Sequence, residues 1–308
     1  MAKAITGIYA AAAFAVAISI GSRLATAGDF GTLPLSRDGV GRTDQWTWKF
    51  TSYAWLAYLT GDTTVKGRTA GVDVNPYQVL TNLKAMPWMS YGEGRKGRFA
   101  FYNDIVYAKI GVSGGIVKAR NFGAIGSGSV TVNGSLDSEQ TIVELGGAYE
   151  LTRWPVGGAA GGEGFVPFTA FDILAGARYW RQDLELSVAA AGAVNIGGLQ
   201  ISGNRAIARG GTVDWVDPLV GFRFRHSFAP GHEMVLRADV GGFDVGSQFS
   251  WNVVAAYSFD LMVRHGVRYS GVIGYRALDV DYAKGSNQTR YEYDVLQHGP
   301  ISALTISF

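Results

Sequence analysis

Cysteine is absent from the 308-residue chain. Disulfides are therefore excluded, and a chain exported to an oxidising compartment has to close its fold in another way. Long apolar runs are missing as well. After residue 27 no stretch of 18 apolar residues occurs, which excludes a transmembrane helix there. Charge of one sign is missing too. The 27 Lys+Arg face 25 Asp+Glu, and two of the basic residues, Lys3 and Arg23, lie in the first 27 positions. The remainder balance. No basic stripe or base-stacking motif appears, so the composition argues against a nucleic-acid partner. No HExxH motif or Asp-rich calcium loop appears either, and no metal or cofactor is expected.

What is present begins at the N-terminus. Lys3 precedes an apolar run, Ile8 to Ile20, broken only by Ser19, and Ala25-Thr26-Ala27 is a small-x-small site. This is the layout of a secretory signal peptide cleaved near Ala27, with a mature domain over 28–308. The 13-residue run is short for a spanning helix. The 43 glycines and the 8 Trp, 15 Tyr and 16 Phe suit hairpins bearing aromatic girdles.

From Trp46 onward the chain alternates with a period of two, the signature of a strand with one apolar face. Trp46, Trp48, Phe50, Ala54 and Leu56 share one parity. Met86 to Gly92 and Arg98 to Gly111 read as a pair around a tip at 94–97. A further strand is expected from about Gly115 into the Gly/Ser-rich segment 123–134, and another over Glu139 to Leu151. Phe171, Ile173 and Tyr179 alternate with Asp172 and Arg178. Val220, Phe222 and Phe224 alternate with Arg223 and Arg225. Similar patterns run through 233–240, 251–261 and 267–276, and the last strand covers about Arg290 to Phe308. Residues 190–212 read as a long loop. Asn75-Pro76 opens the one convincing helix, over 76–85, with Asn75 as cap and Pro76 in the first turn. It either lies on the rim or tucks into the lumen. The sum is about twelve strands, an all-β fold in which a closed antiparallel barrel brings both termini to one side. Trp46, Trp48, Trp180, Trp215, Trp251, Tyr282, Tyr291 and Phe308 sit near strand ends, as interfacial girdles do.

The segments WTWKFTSYAWLAYLTGD, FDILAGARYW, VDPLVGFRFRH, ADVGGFDVGSQFSW and GPISALTISF carry a resemblance to the uncharacterised, porin-like outer-membrane β-barrel proteins of proteobacteria. It covers most of 46–308. The resemblance implies a bacterial outer-membrane location and contact with its lipid. In that family a terminal aromatic, here Phe308, is read by the barrel insertion machinery. If the apolar parities face lipid, the lumen is lined by Asp172, Arg178, Arg223, Arg225, Arg237, Asp239, Asp260, Arg268 and Arg276, with Glu144 and Glu150. Such a lining serves either as a charged constriction passing small polar solutes or as a network that neutralises buried charge. The first makes the protein a narrow passive channel and the second a structural or adhesive surface barrel. A lipid-modifying enzyme is the weaker alternative. His226, His232 and His265 are near turns, and Ser302 shares the parity of His298 without a recognisable hydrolase pattern.

Overall fold

The computed structural model describes residues 44–113, 128–157, 165–196 and 199–308. The expected signal segment 1–27 and the start of the expected mature domain lie outside them. Strand β1 is Thr47–Trp55, β2 Tyr58–Val65 and β3 Arg68–Val74. Helix α1, Pro76–Thr81, leads into β4, Trp88–Lys96, and β5, Phe99–Ser113. Then follow β6 (Gly128–Pro155), β7 (Phe168–Ile196), β8 (Leu199–Ala229), β9 (His232–Gly242), β10 (Phe249–Arg264), β11 (Val267–Lys284) and β12 (Tyr291–Ser307).

Every pairing is antiparallel, and the sheet closes on itself. Ten strands, β1 and β4 to β12, form the barrel. The remaining two, β2 and β3, form a hairpin that continues its wall. The closure runs through β12. Its C-terminal half pairs with β1, from Lys49↔Ser307 to Trp55↔Ile301. Its N-terminal half pairs with β2, from Tyr58↔His298 to Thr64↔Glu292. The final residue joins in. Phe308 N–H donates to the Trp48 carbonyl at 3.0 Å and its carbonyl accepts from Trp48 N–H at 2.7 Å. β1 starts and β12 ends at the same end of the barrel, called here the terminal end.

The helix is shorter than the pattern of 76–85 suggests. The expected cap forms: Asn75 Oδ1 accepts from Gln78 N–H at 2.9 Å, and Gln78 Oε1 accepts from Asn75 N–H at 3.0 Å. The helix ends at Thr81 because the next residues pair sideways with β5. Lys84 N–H donates to the Lys109 carbonyl, and Gly111 N–H donates to that of Asn82. α1 therefore bridges the wall between β3 and β5. No residue of it is buried, and it does not plug the lumen.

Two other boundaries differ from the sequence pattern. Residues 190–196 and 199–212 are strand, not loop. β7 and β8 run through them in unbroken register from Ile196↔Leu199 to Leu184↔Gly211. The Ala- and Gly-rich run 189–193 has no alternation to reveal a strand, yet ladder hydrogen bonds need no side chains. Likewise 128–134 opens β6, and one strand runs through to 139–151. The part of the expected strand before residue 128 and after 113 lies outside the described residues. β6, β7 and β8 are 28, 29 and 31 residues long, and beyond the pairings with β5 and β9 they continue as a three-stranded extension.

Gly61 lies on the seam at φ 151°, and a Cβ there would overlap the Asp294 carbonyl oxygen of β12. Gly61→Ala should lower the urea midpoint of the refolded barrel by more than about 1 kcal/mol in stability. Gly147→Ala, where the nearest atom is the Ala100 carbonyl oxygen at 3.7 Å, should leave it unchanged. An unshifted midpoint for Gly61→Ala contradicts the β2–β12 pairing.

Candidate functional site in the barrel interior

Alternation decides which side chains enter the lumen, and those that enter in the terminal half are charged. Two linked groups form there. In the first, Arg178 of β7 donates to Glu144 of β6 through Nε at 3.0 Å and Nη2 at 2.8 Å, and to Asp239 of β9 at 2.6 Å. Arg237 of β9 bonds the other Glu144 oxygen, pairs with Asp239 at 2.9 Å, and lies 4.8 Å from the Tyr102 ring centroid. Arg276 of β11 reaches Asp104 of β5 at 2.7 Å and Asn252 of β10 at 3.1 Å. Tyr53 of β1 donates to Asp104 at 2.6 Å.

The second group lies nearer the terminal end. Asp172 of β7 accepts from Arg223 and Arg225 of β8 and from Arg95 of β4, at 2.8–3.1 Å. Arg223 also donates to Glu93 of β4 at 2.5 Å, and Arg225 to Glu150 of β6 at 2.8 Å. Most of these links cross the lumen between strands that are not neighbours. They are charge-assisted, and several arginines use both faces of the guanidinium fork.

The lumen is filled at this level. Arg178 and Asp172 are 0 % exposed and Glu144 1 %. A water-wide passage beside them would leave accessible surface on these side chains. Toward the other end the filling turns apolar. Trp180 and Trp215 stack at 5.4 Å, and Trp215 and Tyr282 at 4.0 Å. Leu184, Leu278, Val280, Tyr291, Tyr293 and Val295 pack with them, and Trp55, Val65, Val72 and Val74 join from the seam. Between these residues and β5 lies a small apolar cavity of about 40 Å³, lined by Leu59, Val72, Val74, Ala108, Ile110 and Leu184 among others.

The outer surface is the reverse of the inner one. Phe101, Leu145, Ile173, Val220, Phe224, Leu236, Ile273 and Leu304 are exposed, Leu145 at 59 %. They form a continuous apolar band because the interior takes the other parity.

All nine lumen candidates are placed by these contacts. Asp172, Arg178, Arg223, Arg225, Arg237, Asp239 and Arg276 are buried in the two groups. Asp260 and Arg268 pair at 2.6 Å, half-exposed and apart from the rest, with Ser270 donating to Asp260 at 2.9 Å. Sequence reasoning missed Glu93, Arg95, Asp104 and Asp217. It ended a strand at Gly92, whereas β4 continues to Lys96. The parity Met89, Tyr91, Glu93, Arg95 was the available signal. The girdle expectation fails for four aromatics. Trp180, Trp215, Tyr282 and Tyr291 point inward and are at most 6 % exposed. Trp180 has the parity of Arg178, and Trp215 that of Asp217, so parity outranks nearness to a strand end. Trp46, Trp48 and Phe308 are exposed. As for the enzyme alternative, His298 Nδ1 pairs with the Tyr275 hydroxyl at 2.6 Å on the outer face, and Ser302 lies two repeats of the pleat farther along β12.

No protein-family model and no curated protein matches the chain. Structural comparison aligns it with outer-membrane proteins at low identity. A FadL homologue of Pseudomonas aeruginosa aligns at 10 % identity and TM-score 0.24, over 85 % of this chain and 89 % of that one. OccK2 (OpdF) of the same species aligns at 11 % and 0.21, over 87 % and 98 %. OccAB2 of Acinetobacter baumannii aligns at 8 % and 0.23, over 86 % and 98 %. Overlap of this size assigns neither a family nor a cargo.

Removing one member of a buried ion group leaves its partners uncompensated. Glu144→Ala strands part of the charge of Arg178 and Arg237 and should cost about 3–5 kcal/mol in urea unfolding. Asp260→Ala, at the half-exposed pair, should cost less than about 1 kcal/mol. Equal costs would show that the central group is not desolvated.

Proposed function

We propose that the chain is an outer-membrane β-barrel whose interior is closed at rest, acting as a membrane-anchored scaffold that carries the β6–β8 extension. The observation that supports the membrane is the inversion of polarity. A soluble barrel keeps its charges outside, whereas here an apolar band faces out and arginines and carboxylates face in. Exposed apolar surface that encircles a protein is costly in water and is satisfied in lipid. The observation that supports the scaffold is the filled lumen, with braced charges in one half and stacked aromatics in the other.

Conduction of small polar solutes is the second reading. It draws on the lumen-facing Arg/Asp set and on buried nitrogens that lack a hydrogen-bond partner among the described residues: Arg95 Nη1, Arg178 Nη1 and Arg237 Nε. A network with unsatisfied donors has capacity for water, so it could hydrate if the braces part.

Planar-bilayer recordings separate the two readings. The folded wild-type chain should show no steady single-channel steps. Steady steps that survive dilution to single insertions would overturn the scaffold reading in favour of a passive channel. A protein that never partitions into vesicles overturns both.

A further inference from the structure

The outer face near the terminal end carries a feature that neither the closed lumen nor the anchoring role uses. Two imidazoles flank Phe228 there. His226 lies on β8 and His232 on β9, next to the turn at 230–231. Each is held through Nδ1 by a hydroxyl from the strand beyond it. Thr169 Oγ1 of β7 is 2.9 Å from His226 Nδ1, and the Tyr257 hydroxyl of β10 is 2.7 Å from His232 Nδ1. Phe228 stands between the rings, with centroids 6.1 Å from His226 and 5.9 Å from His232. Tyr257 stacks on His232 at 6.0 Å and 13°. Both histidines are half-buried, so the rings are fixed at one edge and open at the other.

Chemistry follows from that fixation. A hydroxyl that donates to Nδ1 selects the tautomer with its proton on Nε2. The protonated ring also presents Nε2–H. With the hydroxyl as donor, or with the ring protonated, an N–H donor is available away from the hydroxyl. Among the described residues no carboxylate competes on this face: Glu233 and Asp260 have the inward parity, bound toward Lys49 and Arg268. The position also matters. His226 sits two residues past Phe224 at the margin of the apolar band, where acyl chains give way to headgroups. The acceptor present in abundance at that depth is the phosphate of a phospholipid.

We infer that His226 and His232 form a paired site for a phospholipid phosphate at the terminal-end rim, with Thr169 and Tyr257 as positioning residues and Phe228 as the spacer. This rests on the membrane reading above. It adds a specific headgroup contact to the general apolar one.

Solid-state NMR tests it on the full-length folded protein, labelled with 15N-histidine and reconstituted in phosphatidylethanolamine/phosphatidylglycerol bilayers in phosphate-free buffer. Lipid 31P should dephase the Nε2 signals of both residues. His226→Gln and His232→Gln assign the two signals by removing each in turn. Tyr257→Phe, which keeps the stacking and removes the hydroxyl, should weaken the His232 effect and spare that of His226. Co-sedimentation with vesicles is run on each sample. Insertion without dephasing at either ring overturns the headgroup site and leaves the membrane reading standing, whereas failure to insert overturns the membrane reading itself. A sample in phosphate-free detergent titrated with inorganic phosphate should show no change at Nε2. A change there makes the pair a general anion site and overturns the lipid assignment.

Discussion

Because β12 hydrogen-bonds to β11 along one edge and to β1 and then β2 along the other, the sheet has no free edge at the seam, and its interior becomes a separate compartment. Everything else in the molecule answers to that closure. A closed strand presents alternate residues to two different media, so one parity must suit the inside and the other the outside. The break at Leu56-Ala57 between β1 and β2 falls opposite Gly299-Pro300, where a Cβ on Gly299 would overlap the Leu56 carbonyl oxygen. Pro300 cannot donate to a ladder, and the strand pair loosens at the place where one partner strand hands over to the next.

Inside the compartment, charge has to be matched where it stands. An unpaired guanidinium in a closed lumen has no water to turn to, and desolvation alone would cost several kcal/mol per ion. The structure meets this by sharing. Asp172 serves three arginines, and Glu144 and Asp239 between them serve two. Asp217 is the exception in its surroundings. It is fully buried and accepts from the Trp215 indole at 3.2 Å and from the Ser247 backbone N–H at 2.7 Å. That carboxylate ties the β9–β10 turn, strained at Phe243 and Asp244 with positive φ, to the aromatic stack. The charged and the apolar parts of the filling thus meet at Asp217, and again where Arg276 lies 4.9 Å from the Trp55 ring centroid.

Much of this architecture was legible in the sequence, because period two survives wherever both media are selective. Phe222, Arg223, Phe224 and Arg225 announce their faces without any structure. The illegible parts have a common cause. The run 189–193 is small and uniform, so its side chains state no preference between faces. Glu93 and Arg95 alternate with glycines, and Gly94-Arg95-Lys96-Gly97 reads as a turn. Trp180 and Tyr282 obey the alternation but are large and apolar, and at strand ends such residues suit a membrane interface equally well. What decides for them is that β7 and β11 outrun the apolar band, leaving lumen to fill with something other than charge. Pairings across the lumen, such as Arg223 with Glu93 over 130 residues of sequence, leave no local pattern at all.

The same pairings explain why register is secure in strands as long as β6 to β8. A slip of one residue would exchange the two faces completely. In a soluble sheet that moves a few apolar groups into water. Here it would turn Arg178, Arg223, Arg225 and Arg237 outward into the apolar band and bring Phe222, Phe224 and Leu236 onto Asp172 and Glu144. A slip of two residues preserves the faces but moves arginines on one strand by ~7 Å relative to carboxylates on another, enough to break contacts such as Arg178–Glu144 and Arg223–Glu93. Alternation therefore fixes which face is which, and the cross-lumen ion groups fix the position along the strand. That division of labour gives the buried charges a use that apolar filling could not supply, since leucines and valines tolerate a two-residue shift and a bidentate guanidinium does not.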